Sequence, residues 1–380
     1  MRKNKIMYVH HAGTFGGAPK SLSYIIEKLD RDVFDPYLVS IAEGPINEFF
    51  KQLPAKFFQI SGVRPFHGST VVEKSVKLFL RNLIFFIPSI YKSLKFIRKV
   101  NPDIIHLNSS SLLAFAISGR ILGKIVICHL REPLRKGVWG FVPRMNNFFV
   151  DGYISISKYD LKSMRIPSFL RLQYRVIPNF VDTFDDKSVD FNLFDMIIPE
   201  KKDVTIFLYL ARFSSSNGWE NLIHFGKKVI EKNNKIYFIL VGSPDEVTYK
   251  KFESKNIFIF PFTKNIQNFI FNSDVFVCPF LTPHFARGIV EAYSGSLPIL
   301  GNNIACVDEL VLHEETGFLY NNYDEFEKYC LLLASEKKLR LSMGENGKVF
   351  SLKKFDFQKN LKDTYAFYNI LLQKYEKDNN

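Results

Sequence analysis

Short apolar runs alternate with amphipathic stretches along most of the chain. The pattern predicts strands near 6–11, 37–43, 57–60, 103–108, 124–130, 153–157 and 175–178. Helical spacing is clearest over 19–29, 111–122 and 144–150. The rhythm then repeats, with strands at 204–211, 236–242, 257–261, 275–279 and 297–301 and helices at 218–232, 265–272, 287–295 and 324–334. Alternating strands and helices imply an α/β protein with parallel sheets covered on both faces. A polar stretch with Asp182, Asp185, Asp186, Asp190 and Asp195 separates the two series and reads as a linker. Two doubly wound domains follow, and the helical pattern over 357–376, with no strand after it, is expected to pack back on the first domain.

Composition adds little to that picture, but charge changes it. The 380 residues are 47% hydrophobic and 23% charged, the profile of an ordinary globular protein. Residues 1–180 carry 27 basic and 11 acidic side chains, whereas 181–380 carry 24 and 27. Within 51–100 there are 10 basic residues and one acid, Glu73. Such asymmetry suggests two halves facing different partners, with nucleic acid or an anionic membrane on the first. No nucleic-acid recognition motif accompanies it, so nucleic acid is not expected. The run Leu78 to Ile90 is broken by Arg81, Asn82 and Pro88 and is too short to span a bilayer. Phe79, Leu83 and Phe86 would share one helical face and Lys92, Lys95 and Lys99 the next, which suits peripheral docking. The four cysteines are scattered, so neither a disulfide framework nor a zinc site is expected, and a cytoplasmic location fits.

Ligands of open α/β sheets bind beyond the carboxyl ends of the strands, so the turns there carry the candidate chemistry. The first, His10-His11-Ala12-Gly13-Thr14-Phe15-Gly16-Gly17-Ala18-Pro19, opens a helix and is either a phosphate-binding turn or a plain connection. It matches neither the dinucleotide fingerprint nor the P-loop. His129 closes the run Ile125-Val126-Ile127-Cys128, followed by Arg131 and Glu132. Arg212 follows the strand 204–211 directly, where a guanidinium suits a diphosphate. Pro283-His284-Phe285-Ala286-Arg287-Gly288 enters a helix on which Glu291 lies one turn further, on the face of Arg287. The one Asp-x-Asp, at Asp30 and Asp32, reads as a helix end and turn rather than a metal site.

Taken in order, FGGAPKSL, DIIHLNSS, ICHLREP, YISISKYD, VIPNFVD, LYLARFSSSNGWENLI, FILVGS, HFARGIVEAYSGSLPIL and VDELVLHEETGFLY resemble the family 4 glycosyltransferases of the GT-B fold. The resemblance implies two Rossmann-like domains with a cleft between them. Residues 1–182 would bind the acceptor, 183–203 link, 204–350 bind a nucleotide sugar, and 351–380 return as a helix. It implies that Glu291 binds the donor ribose and Arg212 the diphosphate. Phe285, Ala286 and Arg287 would line sugar and phosphate, Gly16 and Gly17 close over the phosphate, and His129 face the transferred sugar. The implied activity is retaining, metal-independent and cofactor-free sugar transfer to a surface-glycan precursor, commonly lipid-linked. Asn217 stands where the family's diphosphate Lys is expected, Pro283 where its first motif Glu is expected, and Ala305-Cys306 replaces a Gly-Gly turn. These departures motivate the alternative of a degenerate GT-B module that binds a glycan or partner without catalysis.

Overall fold

In the computed structural model, residues 2–70, 74–180, 187, 189–198, 203–244 and 250–379 are described. Glu73 and the linker acids Asp182, Asp185 and Asp186 fall outside them. The chain forms two compact units, Met1–Phe180 with Phe357–Asn380, and Val181–Asp356.

The first unit holds strands β1 (Asn4–His10), β2 (Phe34–Ser40), β3 (Lys56–Gln59), β4 (Ile104–Leu107), β5 (Ile125–Leu130), β6 (Gly152–Ser155) and β7 (Gln173–Val176). They form a parallel sheet in the order β3-β2-β1-β4-β5-β6-β7. Its helices are α1 (Gly17–Glu27), α2 (Ile46–Lys51), α3 (Val76–Ile84), α4 (Phe86–Val100), α5 (Leu113–Ile121), α6 (Val138–Arg144) and α7 (Lys158–Ser163). The second unit repeats the plan with β8 (Thr205–Leu210), β9 (Ile236–Ser243), β10 (Ile257–Pro261), β11 (Val275–Cys278), β12 (Ile299–Asn302) and β13 (Gly317–Tyr320), ordered β10-β9-β8-β11-β12-β13. Its helices are α8 (Trp219–Lys232), α9 (Ile266–Phe271), α10 (Arg287–Ser294), α11 (Tyr323–Ser335) and α12 (Lys337–Lys354). The last helix, α13 (Phe357–Asn379), belongs to the first unit.

Buried on both faces, the central strands read as apolar runs, and alternate residues feed two cores. Met7 and Val9 of β1 join one, Ile6 and Tyr8 the other. The second core includes Leu361, Phe367, Tyr368 and Leu371 of α13, so that helix covers one sheet face. In both sheets the order reverses beside the first strand, between β1 and β4 and between β8 and β11. Those switch points are where a crevice opens at the carboxyl ends.

Several elements differ from expectation. β2 starts at Phe34 and contains Pro36, which would normally argue against a strand. β3 pairs with β2 only from Tyr37 onward, so at Pro36 the missing N–H costs no bond on that side. α6 precedes the expected 144–150, and Met145–Phe148 continues as a 3₁₀ turn. β13 and α12 were not expected. The expected linker is partly core, because Phe194 and Ile198 are buried in the second unit. Phe79 and Phe86 do not face solvent: Phe79 packs on Phe66 and Trp139, and Phe86 on Phe66. The exposed apolar face is instead Val76, Leu80, Leu83 and Ile84 of α3 with Ile87 and Tyr91 of α4.

Candidate functional site

At the switch point of the second unit, the chain leaves β8 into Arg212, whose carbonyl is fixed by Asn217 Nδ2 at 2.9 Å and the Tyr209 hydroxyl at 3.1 Å. The Arg212 side chain is exposed. Gly218 then adopts φ +68°, and a Cβ there would lie 2.0 Å from the Pro279 carbonyl oxygen. This close approach brings the β8 turn against the end of β11. The Ser216 carbonyl accepts from the Leu281 and Thr282 N–H groups at 2.9 and 3.3 Å, joining the two loops.

The β11 loop is itself held in shape. Asn302 Nδ2 donates to the Phe280 carbonyl, the Phe280 and His284 rings stack at 4.3 Å, and His284 Nδ1 donates to the Thr282 carbonyl at 2.7 Å. Burial lowers the His284 pKa, which keeps the ring neutral at pH 7. Phe285 packs edge-on against Phe355, and Ala286 is buried. At the start of α10, Arg287 Nε donates to Glu291 Oε1 at 2.7 Å, across one helical turn. Among the described residues, Arg287 Nη2 is buried with no partner. Gly288 lets α10 lie close to the strands, since a Cβ would be 2.7 Å from the Phe276 ring and 3.1 Å from the Leu210 carbonyl oxygen. Arg212, Phe285, Ala286, Arg287 and Glu291 thus stand on two joined loops and the start of α10 in one unit. The arrangement offers an exposed cation, a half-used guanidinium, a carboxylate and a helix N-terminus, a set suited to phosphates and vicinal hydroxyls.

The other expected residues lie in the first unit. Gly16 caps α1 in extended backbone, and a Cβ on Gly17 would meet open space. Close packing falls on Gly13 instead, where a Cβ would lie 2.0 Å from the Glu43 carbonyl oxygen. His129 is buried: its Nδ1 meets His106 Nε2 at 3.2 Å, and His106 Nδ1 meets the Tyr368 hydroxyl of α13 at 2.7 Å. Burial and the nearby Arg131 charge push His129 well below the ordinary histidine range, and His106 to about 3. Among the described residues, His129 Nε2 has no partner. Around the β1–β4 switch point the structure also gathers His10, Asn108 and Arg131, which were not expected as site residues. Asn108 Nδ2 meets His10 Nδ1 at 3.0 Å, and Arg131 Nε donates to Asn108 Oδ1 at 2.9 Å. The signals in the sequence were the His10-His11 pair and Arg131, polar groups placed directly at the ends of apolar runs. Among the described residues, no group of three or more His, Cys, Asp or Glu could hold a metal ion. Among the described residues, too, no helix is long and apolar enough to cross a membrane.

Residues 191–350 match the model of the family described as Glycosyl transferases group 1. The chain is 25% identical over 370 residues to the UDP-Gal:alpha-D-GlcNAc-diphosphoundecaprenol alpha-1,3-galactosyltransferase of Escherichia coli, covering 89% of this chain and 90% of that protein. It is 24% identical to the capsular polysaccharide biosynthesis glycosyltransferase CapM of Staphylococcus aureus, over 92% of this chain and 94% of CapM. In structure it is similar to Anabaena Alr3699/HepE in complex with UDP, with a TM-score of 0.77 at 17% identity, covering 96% of this chain and 99% of that one.

Proposed function

We propose that the chain, a glycosyltransferase of the GT-B fold, moves a sugar from a nucleoside diphosphate donor, a UDP-sugar first of all, to a hydroxyl of a lipid-linked surface-glycan precursor. Transfer proceeds with retention and without a metal ion. The observation that carries the reading is the Arg287–Glu291 pair at the start of α10, with Arg287 Nη2 left buried and unpartnered. A buried N–H without an acceptor is costly, and a donor phosphate oxygen would satisfy it.

In this reading Glu291 accepts from the ribose hydroxyls, while Arg212 and Arg287 stabilise the charge that grows on the departing diphosphate. Phe285 and Ala286 set the wall of the donor pocket. His129 positions the transferred sugar through Nε2. The acceptor oxygen bonds to the anomeric carbon as the bond to the diphosphate breaks, and the acceptor proton passes to the departing phosphate oxygen. No protein group is assigned as general base. The first unit takes the acceptor and docks on an anionic membrane through the exposed apolar face of α3 and α4. Lys77, Arg81, Lys95 and Arg98 flank that face, matching its charge to acidic lipid.

A panel of UDP-, GDP-, ADP- and CMP-sugars tests the donor, by thermal shift and by hydrolysis in the absence of acceptor. One donor should stabilise the protein and be hydrolysed slowly, with the anomeric configuration retained and with EDTA making no difference. No response to any donor would reject the reading. The non-catalytic alternative draws on Asn217, whose side chain is spent on the Arg212 carbonyl and supplies no cation. It expects donor or glycan binding with no turnover.

A further inference from the structure

We propose that the cavity at the β1–β4 switch point of the first unit binds an anionic oxygen group of the acceptor, a carboxylate or a phosphate, through Arg131 Nη2. The proposal rests on the reading above that this unit takes the acceptor, and it names the acceptor's chemistry.

Arg131 is only 8% exposed. Its Nε is held by Asn108 Oδ1 and its Nη1 by Asn179 Oδ1 at 2.7 Å, two neutral carboxamides. Among the described residues, Nη2 is buried with no partner and no carboxylate pairs with the guanidinium. Burial lowers its pKa to about 9, so it stays charged at neutral pH. A buried charge left without a counter-ion is strongly disfavoured unless something else supplies one. The neighbouring side chains do not: His10, His106 and His129 are held neutral by burial and by the charge of Arg131 itself.

Arg131 lines a cavity of about 30 Å³ with His11, His67, Ser69, Ser109, Ser110 and Ser111. That is room for one or two oxygen-sized groups, so the tip of a carboxylate or phosphate enters while the sugar stays outside. His11 Nδ1 is also buried without a partner. Glu132 reaches the same cavity, but its carboxyl is bonded to Ser69 and raised in pKa by burial, which reduces its claim as a counter-ion. The two carboxamides fix the plane of the guanidinium and leave one N–H edge for an incoming pair of oxygens.

The test uses the full chain and three probes, glucuronate, glucose 1-phosphate and glucose, in thermal shift and calorimetry. An anion should bind and glucose should not. A response to glucuronate alone marks an acidic sugar, and a response to glucose 1-phosphate alone marks a phosphorylated acceptor. Arg131→Gln should weaken the anion at least tenfold, while Arg287→Ala, in the other unit, should leave the Arg131-dependent binding unchanged. Should Arg131→Gln fail to fold, Ser110→Asp places a carboxylate in the cavity, and it should raise the melting temperature and abolish the anion response. Equal binding of glucose and glucuronate, no anion binding, or anion binding lost in Arg287→Ala but kept in Arg131→Gln or Ser110→Asp would overturn the proposal. Donor hydrolysis without acceptor is read separately, and its absence alongside Arg131-dependent anion binding counts against the function reading, not against the site.

Discussion

Arg287 and Glu291 share one ion pair and one turn of helix, so their substitutions should be read together. Glu291→Ala is expected to raise the donor KM about tenfold by removing the ribose acceptor and freeing Arg287. Arg212→Ala should leave KM within a few-fold and lower kcat by about 10²-fold, the scale of one lost electrostatic donor. Steady-state kinetics on the donor that hydrolyses decides both. Asn217→Lys offers a second cation at the diphosphate but gives up the bond to the Arg212 carbonyl. Nucleotide titration should show tighter binding, and the melting temperature should fall by several degrees. The spacing of Arg287 and Glu291 was legible in the sequence, because i and i+4 meet on any helix. The use of Asn217 as a brace was not, since an Asn in a turn has many partners within reach. The burial of His129 was not legible for a related reason. Its place at the end of β5 is plain from the sequence, but alternation puts it on the same face as Ile125 and Ile127, which pack with α13. Only the fold shows that a helix from the far end of the chain covers that face.

At the scale of elements, glycine approach explains what hydropathy missed. In α12, a Cβ on Gly344 would lie 1.8 Å from the Ser296 carbonyl oxygen, and one on Gly347 would lie 2.3 Å from the Tyr293 ring. The helix packs through its glycines, and its apolar pattern is correspondingly weak. The strand β13 is four residues long, too short for alternation to register. By contrast, the long apolar runs of β1, β5, β8 and β9 were readable because parallel strands are buried on both faces. The helix α13 is fixed by Tyr368 on His106, by the Tyr365 hydroxyl on the Ile25 carbonyl, and by Asn360 Nδ2 on the Pro178 carbonyl. Tyr368→Phe leaves His106 Nδ1 buried without its partner and should cost about 1–3 kcal/mol. Leu371→Ala should cost about 2–5 kcal/mol. Urea denaturation of both variants measures the loss, and wild-type midpoints would reject the view that α13 is part of the core.

For the whole molecule, the buried histidines set an acid limit. His10 and His106 have folded pKa values of about 3, and His11 and His129 lie well below their ordinary value. Unfolded, each takes a proton near pH 6.5. The unfolded chain therefore binds more protons between pH 6.5 and 3, and stability falls as pH drops through that window, by up to about 1.4 kcal/mol per unit for each group. Half-buried carboxyls such as Asp151 and Asp274 have raised pKa values and work against this trend near their own titration. Melting temperature against pH should be flat from 7 to 8 and fall steeply below 6. The basic, apolar face of α3 and α4 makes a second prediction at this scale. Vesicles containing phosphatidylglycerol should bind the protein, and binding should fall with salt and with Leu80→Ser, Ile84→Ser and Ile87→Ser. Equal binding to neutral vesicles would reject it.

Because the first unit is built from Met1–Phe180 and Phe357–Asn380, the second is an insertion within it. On the ribosome, the seven-stranded sheet emerges first but lacks the helix that covers Ile125, Ile127 and Ile154. Val181–Asp356 has a core of its own, whereas that face stays bare until Phe357–Asn380 is made. At about 5–20 residues per second, the delay between Phe180 and Phe357 is on the order of ten to forty seconds. Throughout that interval the uncovered sheet face is a ready surface for chaperones, and a free chain truncated after Asp356 should have a second unit that resists protease and a first that does not.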